Sequence, residues 1–292
     1  PLGLEPLNFA YTYFPLSNTG IPTGEQIHSG DFTLEPGSKA YANNCHGYGE
    51  YPGRYGMALY SKFPIKTDAI RTIRTFPWQT LPDSKLPTTF RKTLNEVGVN
   101  LRLSSKNHAD IPLVVGDTVV HALITHPTPP RFDDERNING RRCHDEIRLL
   151  GDYISGARYL TESEAVTATL PADDPFVVLG DLNAAPNKAD DTDDAVNNHL
   201  LDNPRIDLSI DALPTSPGAQ ERGDAIATHR FETTGGECRV KKSDYVLPST
   251  EFERLDAGVV WPESETTRNR FRETVFAASD HHLVYRTLRL PA

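Results

Sequence analysis

Short β-rich runs, each closed by turn residues, constrain this chain most. From Tyr55 onward they recur as GMALYSKFPI (56–65), VGVNLRLSS (97–105), PLVVGDTVVHALITH (112–126), FVVLGD (176–181), SDYVLPS (243–249), LDAGVVW (255–261) and HLVYRTLRL (282–290). In the second run Val97, Val99, Leu101 and Leu103 alternate, which predicts a strand with one buried face. In the third, Gly116-Asp117 separates two β-branched stretches, which predicts a hairpin. Helical patterning is rarer. Its clearest case covers residues 140–156, where Ile147, Leu150 and Ile154 fall on one face and Asn139 is placed to cap the start. A weaker helix is expected over 194–201. Strands joined partly by hairpins and partly by helices predict mixed sheets with helices packed outside. Residues 1–54, rich in Gly, Pro, Tyr and Asn, read as loop with short strands.

Composition narrows the class. Hydrophobic residues make up 37% and charged residues 24% of 292, so the chain is globular and large enough to bury a core without metal or disulfide staples. The net charge of −10 argues against holding nucleic acid through a broad basic face. It does not exclude a nuclease, because bound cations supply positive charge locally. Cys45, Cys143 and Cys238 lie far apart with no CxxC, which argues against a sulfur-based zinc site and permits at most one internal disulfide. No apolar run approaches the roughly 20 residues of a membrane span, no signal peptide is visible, and no repeat emerges. Because Pro1 does not follow from ordinary initiation, the chain is expected to lack its original N-terminus. The acidic stretch NKADDTDD (187–194) lacks the glycine of a calcium loop and reads as solvated. Trp78 and the loop tyrosines Tyr48, Tyr51 and Tyr55 could stack on a base or sugar, but filling a loop core is the favoured reading.

Polar groups gather at strand boundaries. HALITHPTPP (121–130) delivers His126 before a proline-stiffened loop. FVVLGDLNAAP (176–186) ends in Asp181 and Asn183, VKKSDYVLPS (240–249) places Asp244 at a strand start, and FAASDHHLVY (276–285) places Asp280 and His281 before the last strand. Each has a bland reading. GDLN alone is more often an Asx-turn, His126 a satisfied boundary histidine, and Asp244 a salt-bridge partner of Lys241 or Lys242. Only the ordered set favours chemistry, because loops on the ends of rigid strands are where catalytic groups sit.

That ordered set, with the YGMALYSKFPI strand, resembles the endonuclease/exonuclease/phosphatase superfamily across roughly residues 50–285, and the NGRRCHDEIR segment and HPTPP loop look closest to a bacterial, often exported branch. The resemblance implies an α/β fold of the α+β type, a four-layer sandwich of two mixed β-sheets flanked by helices, as one domain spanning 1–292. It implies hydrolysis of phosphate esters with Mg²⁺, Mn²⁺ or Ca²⁺, hard cations that want oxygen ligands. Asp181 would orient or deprotonate the attacking water, and Asn183 would clamp a phosphate oxygen or ligate the metal. On an extended backbone the two would share one side. Asp280 would be the metal-side carboxylate, so that Asp280, Asp181 and Asn183 are the metal candidates. His281 would contact the scissile phosphate, Asp244 would fix the His281 tautomer, and His126 would stabilise the departing group. Arg141 and Arg142 could reach phosphate from the helix start; a solvated basic turn is at least as good a reading. Substrates of this class include nucleic acids, phospholipid head groups and small phosphate esters. A monomer and a secreted or periplasmic location are expected.

The chain also departs from the pattern. Relatives begin with a strand carrying an Asn, then a strand ending in a Gln-Glu pair whose Glu is a principal metal ligand. Neither is supplied here, and Glu96 lies in the wrong order. N-terminal truncation with loss of the first strands is the simplest expectation. The competing hypothesis is a catalytically silent binding or scaffold protein that keeps the fold.

Overall fold

The structure is a computed structural model and describes residues 7–163, 166, 169–186, 192–207, 213–233, 235–263 and 269–290. The chain forms two compact units, one of Pro1–His126 with Arg158–Phe176, the other of Pro127–Ala157 with Val177–Ala292. Both combine strands and helices, the expected α/β class.

In the first unit β1 (Tyr11–Tyr13) pairs with β2 (Leu59–Ser61), and α1 (Lys39–Asn43) starts under a Ser38 side-chain cap. Little else before residue 55 is regular, as expected of a Gly/Pro-rich stretch. A three-stranded antiparallel array follows: β3 (Arg71–Thr72), β4 (His108–Val115) and β5 (Thr118–Thr125). The hairpin turns where expected, pairing Val115 with Thr118 around Gly116, whose φ of 62° suits glycine. α2 (Thr88–Glu96) buries Phe90 and Leu94, four residues apart on one face. The alternating run 97–105 corrects the expectation. It forms no strand, only a bridge of Arg102 to Pro77. Val99, Leu101 and Leu103 are nevertheless buried, and backbone bonds Trp78 N→Leu101 O and Leu103 N→Phe76 O hold them. The partner segment around residues 76–78 runs straight into a 3₁₀ turn at Trp78–Thr80, too brief to extend a ladder. Likewise only Leu59–Ser61 of the run 56–65 is strand, because Ser61 turns its hydroxyl onto the Phe63 backbone just before Pro64. Trp78 is fully buried and fills the core as favoured, whereas Tyr48, Tyr51 and Tyr55 remain exposed, the last two beside the Arg54 guanidinium.

The second unit is built on α3 (Ile138–Ile154). Ile147, Leu150 and Ile154 form the expected buried stripe. The start differs. Asn137 sits in the left-handed region, and the Asp133 carboxylate accepts from the N–H of Asn139 (2.8 Å) and Gly140 (2.9 Å). Asp133 thus satisfies two orphan donors of the first turn, the role expected of Asn139, and the helix begins two residues earlier. Gly151 packs so tightly on the short π-helical turn Asn197–Leu201 that a Cβ there would strike the His199 carbonyl. That turn occupies the weaker expected helix. Of the acidic stretch, residues 187–191 lie outside the described residues, and Thr192 is buried.

β6 (Phe176–Asp181) is the expected apolar strand. Then come β7 (His229–Glu232) and β8 (Cys238–Lys241), a hairpin, and β9 (Asp244–Pro248), antiparallel to β6 with Asp181 opposite Asp244. β10 (Glu253–Val259) pairs with β11 (Val284–Arg289), and α4 (Asn269–Ala278) lies between them in sequence. Ala219, Ala227, Val259 and Trp261, with Val240, Phe276 and Val284, form the apolar cluster beneath this half. Each large side chain fully buried in such a cluster contributes about 1.5–3 kcal/mol. All three cysteines are free, Cys45 and Cys143 buried and Cys238 exposed, so no disulfide forms. Among the described residues no helix is long and apolar enough to cross a membrane.

Candidate active site

Two backbone pairings and one side-chain tie bring the polar strand ends of the second unit together. The β6–β9 register sets Asp181 opposite Asp244. His229, at the start of β7, bridges to His281, with Arg230 N→Asp280 O (2.9 Å) and His282 N→Thr228 O (2.7 Å) on either side. Thr228 then ties this pair to β9: its hydroxyl donates to Asp244 Oδ2 (2.7 Å) and accepts from the Ser243 and Asp244 amides.

His281 is the centre. Its Nδ1 lies 3.0 and 2.9 Å from the two Asp244 carboxylate oxygens, so Nδ1 carries the proton that it donates. The other nitrogen, Nε2, stands 3.9 Å from Asp181 Oδ2. One face of the ring is covered by His229, stacked at 3.9 Å with 14° between planes. Asp280 Oδ2 lies 3.6 Å from His229 Nε2, and its side chain is largely exposed.

Asp181 and Asn183 do not share an extended backbone, which corrects the expectation. β6 ends at Asp181, Asn183 takes φ 54°, and its N–H donates to Asp181 Oδ1 (2.8 Å). GDLN is therefore the Asx-turn of the bland reading, and it serves the site. Turning back on itself leaves Asp181 Oδ2 toward His281. Asn183 Nδ2 donates to the Pro127 carbonyl (3.1 Å), which makes its own side-chain carbonyl the ligand-type atom. Lys241 Nζ donates to the Asn183 backbone carbonyl (2.8 Å), locking the turn.

The electrostatics follow from burial and neighbours. Burial opposes charge on His281, but the hydrogen bond and charge of Asp244, with Asp181 and Asp280 behind it, outweigh that and raise its pKa. His229 is pushed down to about 4 by burial and by the adjacent His281. Lys242 is fully buried, makes no hydrogen bond among the described residues and faces the Tyr245 ring at 4.8 Å. Burial pushes its ammonium down to about 8. Two groups of acid and imidazole ligand atoms, Asp181–Asp244–His281 and His229–Asp280–His281, share His281.

A sequence model of the endonuclease/exonuclease/phosphatase family matches residues 7–281. The chain belongs to that family. Among solved structures, a family protein from Beutenbergia cavernae DSM 12333 is 16% identical with a TM-score of 0.50, over 97% of this chain and 54% of that one, so this chain spans about half its length. A family protein from Leptotrichia buccalis C-1013-b is 14% identical, TM-score 0.47, over 96% of this chain and 71% of that one. Sphingomyelinase C from Streptomyces griseocarneus is 14% identical, TM-score 0.37, over 80% and 64%. No curated protein sequence matches.

This is a family of divalent-metal-dependent phosphoesterases, and carboxylates suit a hard cation: Asp181 and Asp244 gather with His281 in one group, and Asp280 with His229 and His281 in the other. Of the residues singled out from sequence, Asp181, Asn183, Asp244, Asp280 and His281 all lie in the second unit, and the contacts above link them. His126 follows β5 in the first unit, half-buried, and is not among those contacts. Arg141 is exposed, but Arg142 is buried in α3 beside Glu146, so the basic pair is no solvated turn. Lys241 turns to Asn183, while Asp244 takes His281 and Thr228. Sequence reasoning missed Thr228 and His229. Their one signal, a Thr-His pair opening the strand before KKSDYV, gains meaning only through pairing with residues 280–282, some 50 positions away.

Proposed function

We propose that this chain hydrolyses phosphate esters, phosphodiesters foremost, with Mg²⁺ or a related hard cation such as Mn²⁺ or Ca²⁺. One observation carries the reading: Asp244 grips one nitrogen of His281 while the other faces Asp181. Asp244 fixes the tautomer and favours the cation, so His281 offers an N–H to a phosphate oxygen. Asp181, held by the Asx-turn, accepts the proton of the attacking water. Asn183 and Asp280 are its proposed companions as oxygen donors to the metal. A bound cation supplies positive charge against the phosphate oxygens, where negative charge grows in the transition state. His126 is assigned the leaving group from family resemblance alone. A silent scaffold has no chemical need of five such groups with His281 hydrogen-bonded for charge.

The net charge of −10 disfavours tight, sequence-blind binding of DNA. The test is a panel of DNA, RNA, sphingomyelin and sugar phosphates assayed with Mg²⁺ and with chelator. Turnover of at least one, lost with chelator and in Asp181→Ala, supports the reading and names the substrate class. No turnover across the panel hands the fold to the scaffold alternative.

A further inference from the structure

We propose that His229 is a positioning residue of this site, setting the separation between the metal-side carboxylate Asp280 and the phosphate-side imidazole His281. The proposal rests on the phosphoesterase reading above. His281 is gripped at its edge through Nδ1 by Asp244. A ring held at one nitrogen can still pivot about that bond. The face-on stack of His229 at 3.9 Å removes this freedom and leaves Nε2 toward Asp181. The same side chain reaches the other partner, with Nε2 3.6 Å from Asp280 Oδ2. Backbone pairing holds the register from both sides, through Arg230 N→Asp280 O and His282 N→Thr228 O. Beyond His229 the Phe231 ring packs at 5.2 Å, itself covered by the Arg131 guanidinium at 3.8 Å, so the stacking ring is braced.

The trio His229, Asp280 and His281 also has the composition of a metal site, and the stack argues against that role. Imidazole lone pairs lie in the ring plane. Two planes only 14° apart and stacked do not meet within the about 2.0–2.1 Å of a metal–nitrogen bond. His229 therefore serves as a spacer rather than as a ligand.

The test uses the full chain with His229→Ala, His229→Phe and His229→Gln, each checked by circular dichroism and melting. Phe keeps the flat face and loses the nitrogen; Gln keeps a polar reach and loses the face. In His229→Ala, kcat at saturating Mg²⁺ is expected to fall about tenfold with KM little changed, and the Mg²⁺ requirement to rise, on the scale of other outer-shell losses. His229→Phe should restore kcat but not Mg²⁺ affinity measured by calorimetry. A folded His229→Ala with unchanged kcat and Mg²⁺ affinity overturns the proposal, as does a Phe variant no better than Gln. Should the wild type bind Mg²⁺ yet turn over nothing, the function reading fails, and the calorimetric comparison of wild type with His229→Ala and His229→Phe still decides the link to Asp280. A wild type that does neither overturns both.

Discussion

At the residue scale the account turns on the Asp244–His281 pair, and substitution there should separate charge from shape. Asp244→Asn keeps the size and removes the charge that raises the His281 pKa, so kcat/KM should drop by about 10²-fold or more. The same pair predicts a pH dependence of stability in metal-free protein. The folded His281 pKa lies above its unfolded value of 6.5, so its contribution is fully present below that value and lost as pH rises through the folded one. Urea unfolding should therefore show the gap between wild type and Asp244→Asn narrowing as pH rises above 6.5. A gap that is constant or widens would count against the pairing. The grouping of Asp181, Asp244, Asp280 and His281 was legible because turn-type residues at strand ends form a recognisable ordered set. The Asx-turn was weighed as the bland reading, and it forms while Asp181 still faces His281. Thr228 and His229 escaped because nothing local marks them.

At the element scale, patterns that met a strand or core surface able to pair or pack with them were read correctly. The β4–β5 hairpin turns at Gly116-Asp117, and β6, β9 and the buried stripe of α3 lie where periodicity put them. The run 97–105 failed for the converse reason: alternation bought burial of Val99, Leu101 and Leu103, but a strand also needs a neighbour long enough to pair. The helix start shifted because its cap comes from Asp133, outside the helical pattern. Packing rather than propensity should decide Gly151→Ala. Ala gains about 0.8–1 kcal/mol as a helix former. The added Cβ, however, meets the His199 backbone carbonyl, which cannot swing aside as a side chain would. Overpacking of about 1–3 kcal/mol then exceeds the gain, so urea denaturation should show a net loss of stability. A stabilised variant would mean that α3 and the turn Asn197–Leu201 are not in close contact.

At the scale of the whole molecule, titration should make the protein acid-labile. His199, His229 and His282 are each pushed down to about 4, chiefly by burial. A histidine with a lowered folded pKa contributes stability present above its unfolded value and lost as pH falls toward the folded one. Three such groups outweigh the opposite contribution of His281, so the melting temperature should fall between about pH 7 and pH 5. His282 stacks on Trp261 and burial lowers its pKa, so His282→Phe, which keeps a flat ring and cannot charge, should flatten that decline. An unchanged melting temperature over this range would contradict the account of burial. The fold class was legible from strand count and spacing, and the division into two compact units was not, because no linker composition marks it. The claim on which function depends is that Asp181, Asn183, Asp244, Asp280 and His281 act as one hydrolytic centre. Its most direct test is the rate of hydrolysis of a generic phosphodiester by wild type and Asp181→Ala with and without Mg²⁺. The account predicts turnover that requires the cation and falls by about 10²-fold or more in the variant; turnover indifferent to both would contradict it.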